Sequence, residues 1–522
     1  MLNKGFTRLL IYLATIISLI SLFSYTKYHQ VSPININSHH QSDFIITDLE
    51  IKTCFLFTKC QPSNNPSNDW YQIPKPLNFN NNGKKSSFLT QQYLFIKKIK
   101  LSSITKEIQV IHDLQVSESN DDNQRWSFKR SEYDPTNSNE YVYNIDVLFG
   151  LDAIDPRPDW KLIKIPIIDI QSEVPIYLTL KTSPTTTDLS HPKIQIPIGS
   201  NYKILQVADL HFSTNEGTCR DQYPEIQDCK ADKRTLKFLE TVLDSEKPDL
   251  VLLTGDQIFG DDSFESYTTI LKALTPFITR EIPYALMMGN HDDEGSVSRQ
   301  ELMEFIENLP YSLAQSGPEE IDGFGNYIFT IKDSETQKDL LTFYVLDSHK
   351  YSTAPKVNPG YDWIKPNQLS FLESYQQSER KLHENHLSFA LFHIPLPEYK
   401  NLNQPYIGNY KESVMSPNYN SFARDFFTKI GVSIVTVGHD HCNDYCLLDS
   451  NEQDQNKIWL CYGGAVGEGG YAGYGGTTRR LRIFQVDTGE ATIKTFKKLE
   501  TDPQTPFDEQ TLVLKKQIVN FQ

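Results

Sequence analysis

From residue 201 onward the chain repeats one pattern: a short apolar run, a polar stop, then apolar positions at helical spacing. The runs are NYKILQVADLHF (201–212), DLVLLTGD (249–256), YALMMGNHD (284–292), LTFYVLDS (341–348), LSFALFHIP (387–395) and VSIVTVGHDH (432–441). Unbroken apolar runs of this length, closed by Gly, Asp or Pro, are what strands buried on both faces require. Between the first two, Leu236, Leu239, Val242 and Leu243 share one helix face that Pro248 ends, and a second helical segment spans roughly 263–279. Strand–helix–strand alternation predicts an α/β domain over 201–500, with a tail at 501–522.

The upstream texture differs. From 91 to 200, short apolar runs such as QYLFIKKIKL, YVYNIDVLF and VPIYLTLKT alternate with polar turns and lack helical spacing, which predicts a small β-rich domain. Residues 31–90 are rich in Asn, Ser and Pro and read as an irregular stalk. Residues 1–30 hold an uncharged stretch from Leu9 to Thr26, with Lys4 and Arg8 before it and Lys27 after. A signal-peptide core is ~7–15 residues and a spanning helix roughly 17–25, so this stretch favours an uncleaved signal anchor over a cleaved signal peptide. The basic flank predicts a cytosolic N-terminus and a luminal catalytic domain, in a single-pass protein of the secretory pathway or vacuole. The alternative leaves the domain in the cytosol. It is favoured by the absence of any N-x-S/T sequon, Asn65 failing only because Pro66 follows.

Net charge of −16 argues against a nucleic-acid partner, although a bound metal can still reverse the field locally for an anionic substrate. Of seven cysteines, Cys54/Cys60 and Cys219/Cys229 are close pairs suited to disulfides, and Cys446/Cys461 flank a hairpin pattern. Cys442 is left over, and we read it as a partly buried thiol rather than a sulfur ligand.

Five of the apolar runs end in metal-ligand residue types: Asp209 and His211; Asp256; Asn290 and His291; His393; His439 and His441. In an α/β sheet the carboxyl ends of strands gather at one edge, so these residues are expected to converge. Extended backbone would point each i, i+2 pair to one side, and the preceding glycines would let the chain turn beneath the ligands. A lone D-x-H carries nothing, since Asp347-x-His349 is another. The force lies in all five in order.

On these motifs, D-x-H, GD, GNHD, a lone His and GHxH over 204–441, the chain resembles the calcineurin-like metallophosphoesterases. The likeness extends to about 490 and is nearest to the purple-acid-phosphatase-related branch of fungi and plants. That resemblance implies a four-layer α/β/β/α sandwich. It also implies two metal ions, divalent or trivalent, with Fe/Zn or Mn expected. Asp209, His211, Asp256 and His441 would hold one ion. Asp256, Asn290, His393 and His439 would hold the other, with Asp256 bridging, and His291 would be the catalytic contact to phosphate. The function expected is hydrolysis of phosphomonoesters by metal-hydroxide attack, in a protein serine/threonine or broad-specificity phosphatase acting on phosphorylated proteins or small phosphoesters. The alternatives are a phosphodiesterase for nucleotides or lipids, and an inactive scaffold of the same fold.

Two positions depart from purple acid phosphatases. Phe259 stands where they carry a tyrosinate ligand, and His211 stands where they carry glycine. A colourless, calcineurin-like site is expected. The glycine-rich stretch GGAVGEGGYAGYGG (463–476) lacks a P-loop ending and leads into a strand, so it reads as a wall of the site. Tyr462, Tyr471 and Tyr474 are candidates for the substrate approach, with ordinary surface aromatics as the alternative.

Overall fold

A computed structural model describes residues 44–520 apart from 56–59, 61–68, 80–88, 118–125, 168–173, 185–190, 451–455 and 474–475. The hydrophobic N-terminal span therefore lies outside the described residues. Among the described residues no helix is long and apolar enough to cross a membrane.

Two sheets carry the α/β region. In the first, Asn201–Val207, Leu250–Thr254 and Tyr284–Met287 run parallel. Arg480–Asp487 adds antiparallel to Asn201–Val207, followed by Thr492–Leu499, Asp502–Leu514 and Gln517–Ile518. Residues 502–514, expected as tail, thus form a strand of the main sheet. The second sheet orders Tyr406–Ile407, Cys446–Ser450, Lys457–Tyr462, Ile434–Val437, Leu382–Leu391, Asp339–Val345, Tyr327–Asp333 and Gln195–Ile196. Its strands at 339–345, 382–391 and 434–437 are mutually parallel.

The sheets pack face to face. Phe389 of one meets Phe484 of the other with ring centroids 5.6 Å apart, and Trp459 Nε1 donates to Leu512 O at 2.7 Å. The outer face of the first sheet is covered by helices Ala231–Glu246, Ser266–Ile278 and Arg299–Glu307, whose buried Leu239, Leu274 and Ile306 join the same core. Leu372 and Phe427, from helices Pro366–Gln377 and Ala423–Lys429, cover the second. Helix, sheet, sheet and helix give the layered α/β arrangement that the apolar runs require, because a strand apolar on both faces must be covered on both.

The N-terminal region is β-rich. Phe44–Phe55 and Trp70–Gln72 flank Thr90–Lys100, the hairpin Gln109–Val116/Trp126–Glu132 follows, and Ile176–Lys181 pairs with Asn144–Phe149 and Trp160–Leu162. The segment expected as stalk contributes Phe44–Phe55. Its buried positions, Ile45, Ile46, Leu49 and Cys54, do not alternate, because the register shifts between Ile46 and Asp48, so no strand period shows in the sequence. Disulfides join Cys54–Cys60, Cys219–Cys229 and Cys446–Cys461, and Cys442 is a buried free thiol.

Candidate metal centre

The five strand ends converge. Two groups of ligand atoms form, Asp209/His211/Asp256/His441 and Asp256/His393/His439, with Asp256 common to both and the atoms of each group within 4.8 Å of one another. His211 Nε2 lies 3.0 Å from His441 Nε2 and 3.7 Å from Asp256 Oδ2. His441 Nε2 lies 3.5 Å from Asp209 Oδ1. On the other side His393 Nε2 is 3.2 Å from Asp256 Oδ2, 3.2 Å from Asn290 Oδ1 and 3.3 Å from His439 Nδ1. His291 sits at the mouth, about a third exposed, its backbone N–H donating to Asp256 Oδ1 at 2.8 Å. The decoy pair stays apart. Asp347 is spent on Arg299, whose Nη2 lies 2.6 Å from it, and His349 bonds Gln368.

The backbone under the ligands is not extended, contrary to the expectation from i, i+2 spacing. Asp209, His211, Asp256 and His439 all take positive φ, from 49° to 78°. Asp and His tolerate this left-handed region better than branched residues, but each such position costs on the order of 1–3 kcal/mol. The conformation turns the chain sharply at each of these ligands. It is locked by hydrogen bonds between strand ends: Asp209 N donates to Gly255 O (3.1 Å) and His211 N to Asp256 O (3.0 Å), and His439 N donates to the Asp209 carboxylate at Oδ1 (3.1 Å). Of the glycines before the motifs, Gly255 has φ +95°, while Gly289 serves close approach, since a Cβ there would lie 2.0 Å from Asp256 Oδ1.

Surrounding groups fix which nitrogen faces inward. His393 Nδ1 donates to Thr254 O at 2.8 Å and His441 Nδ1 to Tyr471 O at 2.7 Å; a carbonyl only accepts, so Nε2 is the nitrogen that faces the site and, in the neutral ring, the one with a lone pair for a cation. Burial and neighbouring imidazoles push His211 and His439 well below the usual histidine range, which keeps them neutral donors. Burial alone would raise Asp256, but His393 and His211 outweigh it and hold the carboxyl well below its usual range. Burial would lower His393, yet the facing Asp256 lifts it to about 9, so a cation entering there must displace a proton. Two buried imidazole Nε2 atoms 3.0 Å apart, beside carboxylates, are a poor arrangement for one another and a good one for a cation between them. The donor set fits two metal ions.

Several contributors were not anticipated. Asp292, inside the GNHD motif, accepts from Asp256 N (3.0 Å), Ile258 N (3.0 Å) and Gly289 N (2.7 Å), tying two ligand loops together. Glu294 Oε2 lies 2.5 Å from His291 Nδ1. Tyr361 presents its ring edge to His439 at 4.6 Å. Asp440, between the two GHxH histidines, turns away and accepts from Tyr462 OH at 2.6 Å. The signals for Asp292 and Glu294 were present as further acids in GNHDDEG; Tyr361 had none.

The glycine-rich stretch does form a wall. A Cβ on Gly470 would sit 2.5 Å from His441 Cε1 and 2.8 Å from His211 Cδ2. Tyr471 stacks on His441 with centroids 4.0 Å apart. Tyr462 is fully buried and cannot line a substrate approach, which corrects that expectation; its apolar strand takes it into the core. Tyr474 lies outside the described residues.

Residues 202–443 match the model of the calcineurin-like phosphoesterases. The chain is 45% identical to Phosphatase DCR2 of Saccharomyces cerevisiae over 72% of its own length and 67% of that protein's. It is 35% identical to Probable inactive purple acid phosphatase 29 of Arabidopsis thaliana, over 63% of this chain and 90% of the relative. Among solved structures, the purple acid phosphatase PPD1 from yellow lupin seeds aligns over 77% of this chain and 68% of that one, at 13% identity and a TM-score of 0.38. This chain belongs to the calcineurin-like metallophosphoesterase family, with a fungal phosphatase and plant purple-acid-phosphatase-like proteins among its relatives.

Proposed function

We propose that the protein is a dimetal phosphatase that hydrolyses phosphomonoesters, on proteins at phosphoserine or phosphothreonine or with broad specificity. The observation that carries this is the completeness of the donor set: Asp209, His211, Asp256, Asn290, His393, His439 and His441 around one shared carboxylate, with His291 at the mouth. An inactive scaffold has no need to hold four strained residues in place. Two cations held there would supply positive charge for a phosphate and acidify a water molecule, with Fe/Zn or Mn as the metals.

The chain's own residues do the rest. His291 reaches the phosphate oxygens or the leaving group, and Glu294 orients its ring through Nδ1. With two cations bound, Asp256 would neutralise part of the charge of both, while five neutral donors would leave a net positive field for an anion. The same features support an oxidising compartment: three disulfides bridge six of the seven cysteines. We place the catalytic domain in the lumen of the secretory pathway or vacuole, tethered by the N-terminal span.

Some plant relatives carry "probable inactive" in their names, so activity is the first experiment. The full chain is assayed on p-nitrophenyl phosphate and on its bis ester, with and without Mn²⁺. Metal-dependent hydrolysis of the monoester is the expected result. Preference for the bis ester would identify a phosphodiesterase, and no turnover of either an inactive scaffold.

A further inference from the structure

Most cations near the centre are consumed by the fold. Arg299 is held by Asp347 and by the carbonyls of Met288 and Gly289. Arg480 is held by Asp444 and His441 O. Lys350 contacts both Asp293 oxygens at 3.0 Å. Arg220 is different. Its guanidinium lies over the ring of Phe259, 4.1 Å from the centroid, with the side chain 46% exposed. Its carboxylate neighbour Asp262 stands 3.5 Å away and is itself 52% exposed, a pairing of the kind that water and competing anions exchange readily.

Below the side chain the residue is pinned. Arg220 N donates to Glu468 O at 2.9 Å, and buried Arg479 donates from Nη2 to Arg220 O at 2.8 Å. The disulfide Cys219–Cys229 closes the loop that carries it. A guanidinium resting over an aromatic ring still offers its N–H donors to an incoming group, and its planar fork suits bidentate capture of a carboxylate or phosphate once the exposed Asp262 contact is exchanged. Phe259 in turn contacts both His291 and His211, with centroids 5.6 and 5.7 Å away. Arg220 and His291 thus share Phe259 as a neighbour, which sets the guanidinium beside the mouth of the centre, within reach of a group next to the scissile phosphate.

We infer that Arg220 is a specificity-determining residue that binds a second anionic group flanking the scissile phosphate, so that the site selects acidic phosphomonoesters. This rests on the phosphatase reading of the centre. In a chain of net charge −16, with Asp262 and Asp293 near the mouth, a second anion is repelled elsewhere, and Arg220 marks the direction from which it is accepted.

The test uses the full chain loaded with Mn²⁺ and peptides whose central phosphoserine is replaced by its non-hydrolysable phosphonate. The flanking positions carry Gln, Glu or a second phosphonate, and binding is measured by calorimetry. The protein should bind the Glu or the doubly phosphonylated peptide about tenfold more tightly than the Gln peptide, and the larger of the two gains tells a carboxylate from a phosphate source. Arg220→Gln should collapse that ratio to within about twofold, and Arg220→Lys should retain part of it, because lysine keeps the charge but loses the fork. A ratio near one in the unaltered protein, or one that survives Arg220→Gln, overturns the inference. Turnover of the matching phosphoserine peptides is measured separately. Its absence alongside a preserved binding ratio would overturn the phosphatase reading and leave the anion site standing.

Discussion

His439 shows how much the fold spends on one ligand. It holds φ 78° with a non-glycine side chain, its ring wedged between His393, 5.1 Å away between centroids, and the edge of Tyr361. Such strain persists only where surroundings over-determine it, and it clusters where function needs it. His439→Ala or Asn290→Ala should therefore remove one metal and cost more than about a hundredfold in turnover, since loss even of an outer partner of a ligand costs ~10–100-fold. Far-UV circular dichroism should be retained, because apolar strands hold the sheets. Elemental analysis beside a turnover assay checks this; full metal content with persisting turnover would mean the ligands are misassigned. Phe259 makes a second prediction at the same scale. Its ring packs on His211 and His291 and has no oxygen to offer a metal. The iron-loaded protein should lack the visible tyrosinate-to-iron charge-transfer band, and a purple preparation would refute the ligand set.

At the scale of elements, the glycine-rich wall is the feature with least tolerance. Gly470 approaches His211 and His441 so closely that a methyl group would collide with both rings. Arg479 fixes that approach by donating from Nη2 to Gly470 O at 2.7 Å and from Nη1 to Tyr471 O at 3.0 Å. Gly470→Ala should weaken metal binding at the His211/His441 side by about tenfold or more while leaving the His393/His439 side occupied, as metal titration followed by calorimetry would show. Equal affinity at both sides would mean the wall is slack. The same stretch marks the limit of sequence reading. The strand ends and their order were legible, because apolar runs with polar stops can only be buried strands, and parallel strands bring their ends together. What was not legible was the backbone that aims the ligands. Period-two alternation predicts extended chain, whereas Asp209 and His211 take left-handed φ, which is set by neighbouring strand ends far away in the chain. Tyr361 was equally silent, since it reaches the site from a loop with no motif around it. Tyr462 misled because an aromatic near a motif has the same appearance whether it faces the site or the core.

At the scale of the whole molecule, the β-rich N-terminal region is bonded to the catalytic region around the start of the helix Ser266–Ile278. Phe264 packs on Phe79 and Phe149, with centroids 4.8 and 6.4 Å away. Phe149 N donates to Thr268 Oγ1 at 3.3 Å, and Lys272 Nζ reaches Asp152 at 2.8 Å. Both partners lie on the helix Ser266–Ile278, whose N-cap Glu265 accepts from Thr268 N at 2.8 Å. That cap is shared across the junction: buried Lys75 donates to Val147 O at 3.0 Å and stands 3.0 Å from Asp146 and 3.7 Å from Glu265. Burial would raise the Asp146 carboxyl, but Lys75 and Arg157 outweigh it and hold it below its usual range, so this carboxylate depends on cations inside the fold. The helix they anchor leads back to Thr214, whose hydroxyl accepts from Glu265 N at 3.1 Å three residues after His211. The two regions should therefore unfold as one unit. Lys75→Met keeps the length of the side chain and removes its charge, leaving Asp146 with Arg157 alone and Glu265 without a cation from Lys75. Removing one partner of a buried ionic cluster costs on the order of 3 kcal/mol. The expected outcome is a single denaturant transition in both proteins, shifted to lower denaturant in the variant without a change of slope. Two separate transitions in the unaltered protein, with only the first moved by the substitution, would show that the regions are independent and that the junction does nothing for the metal centre.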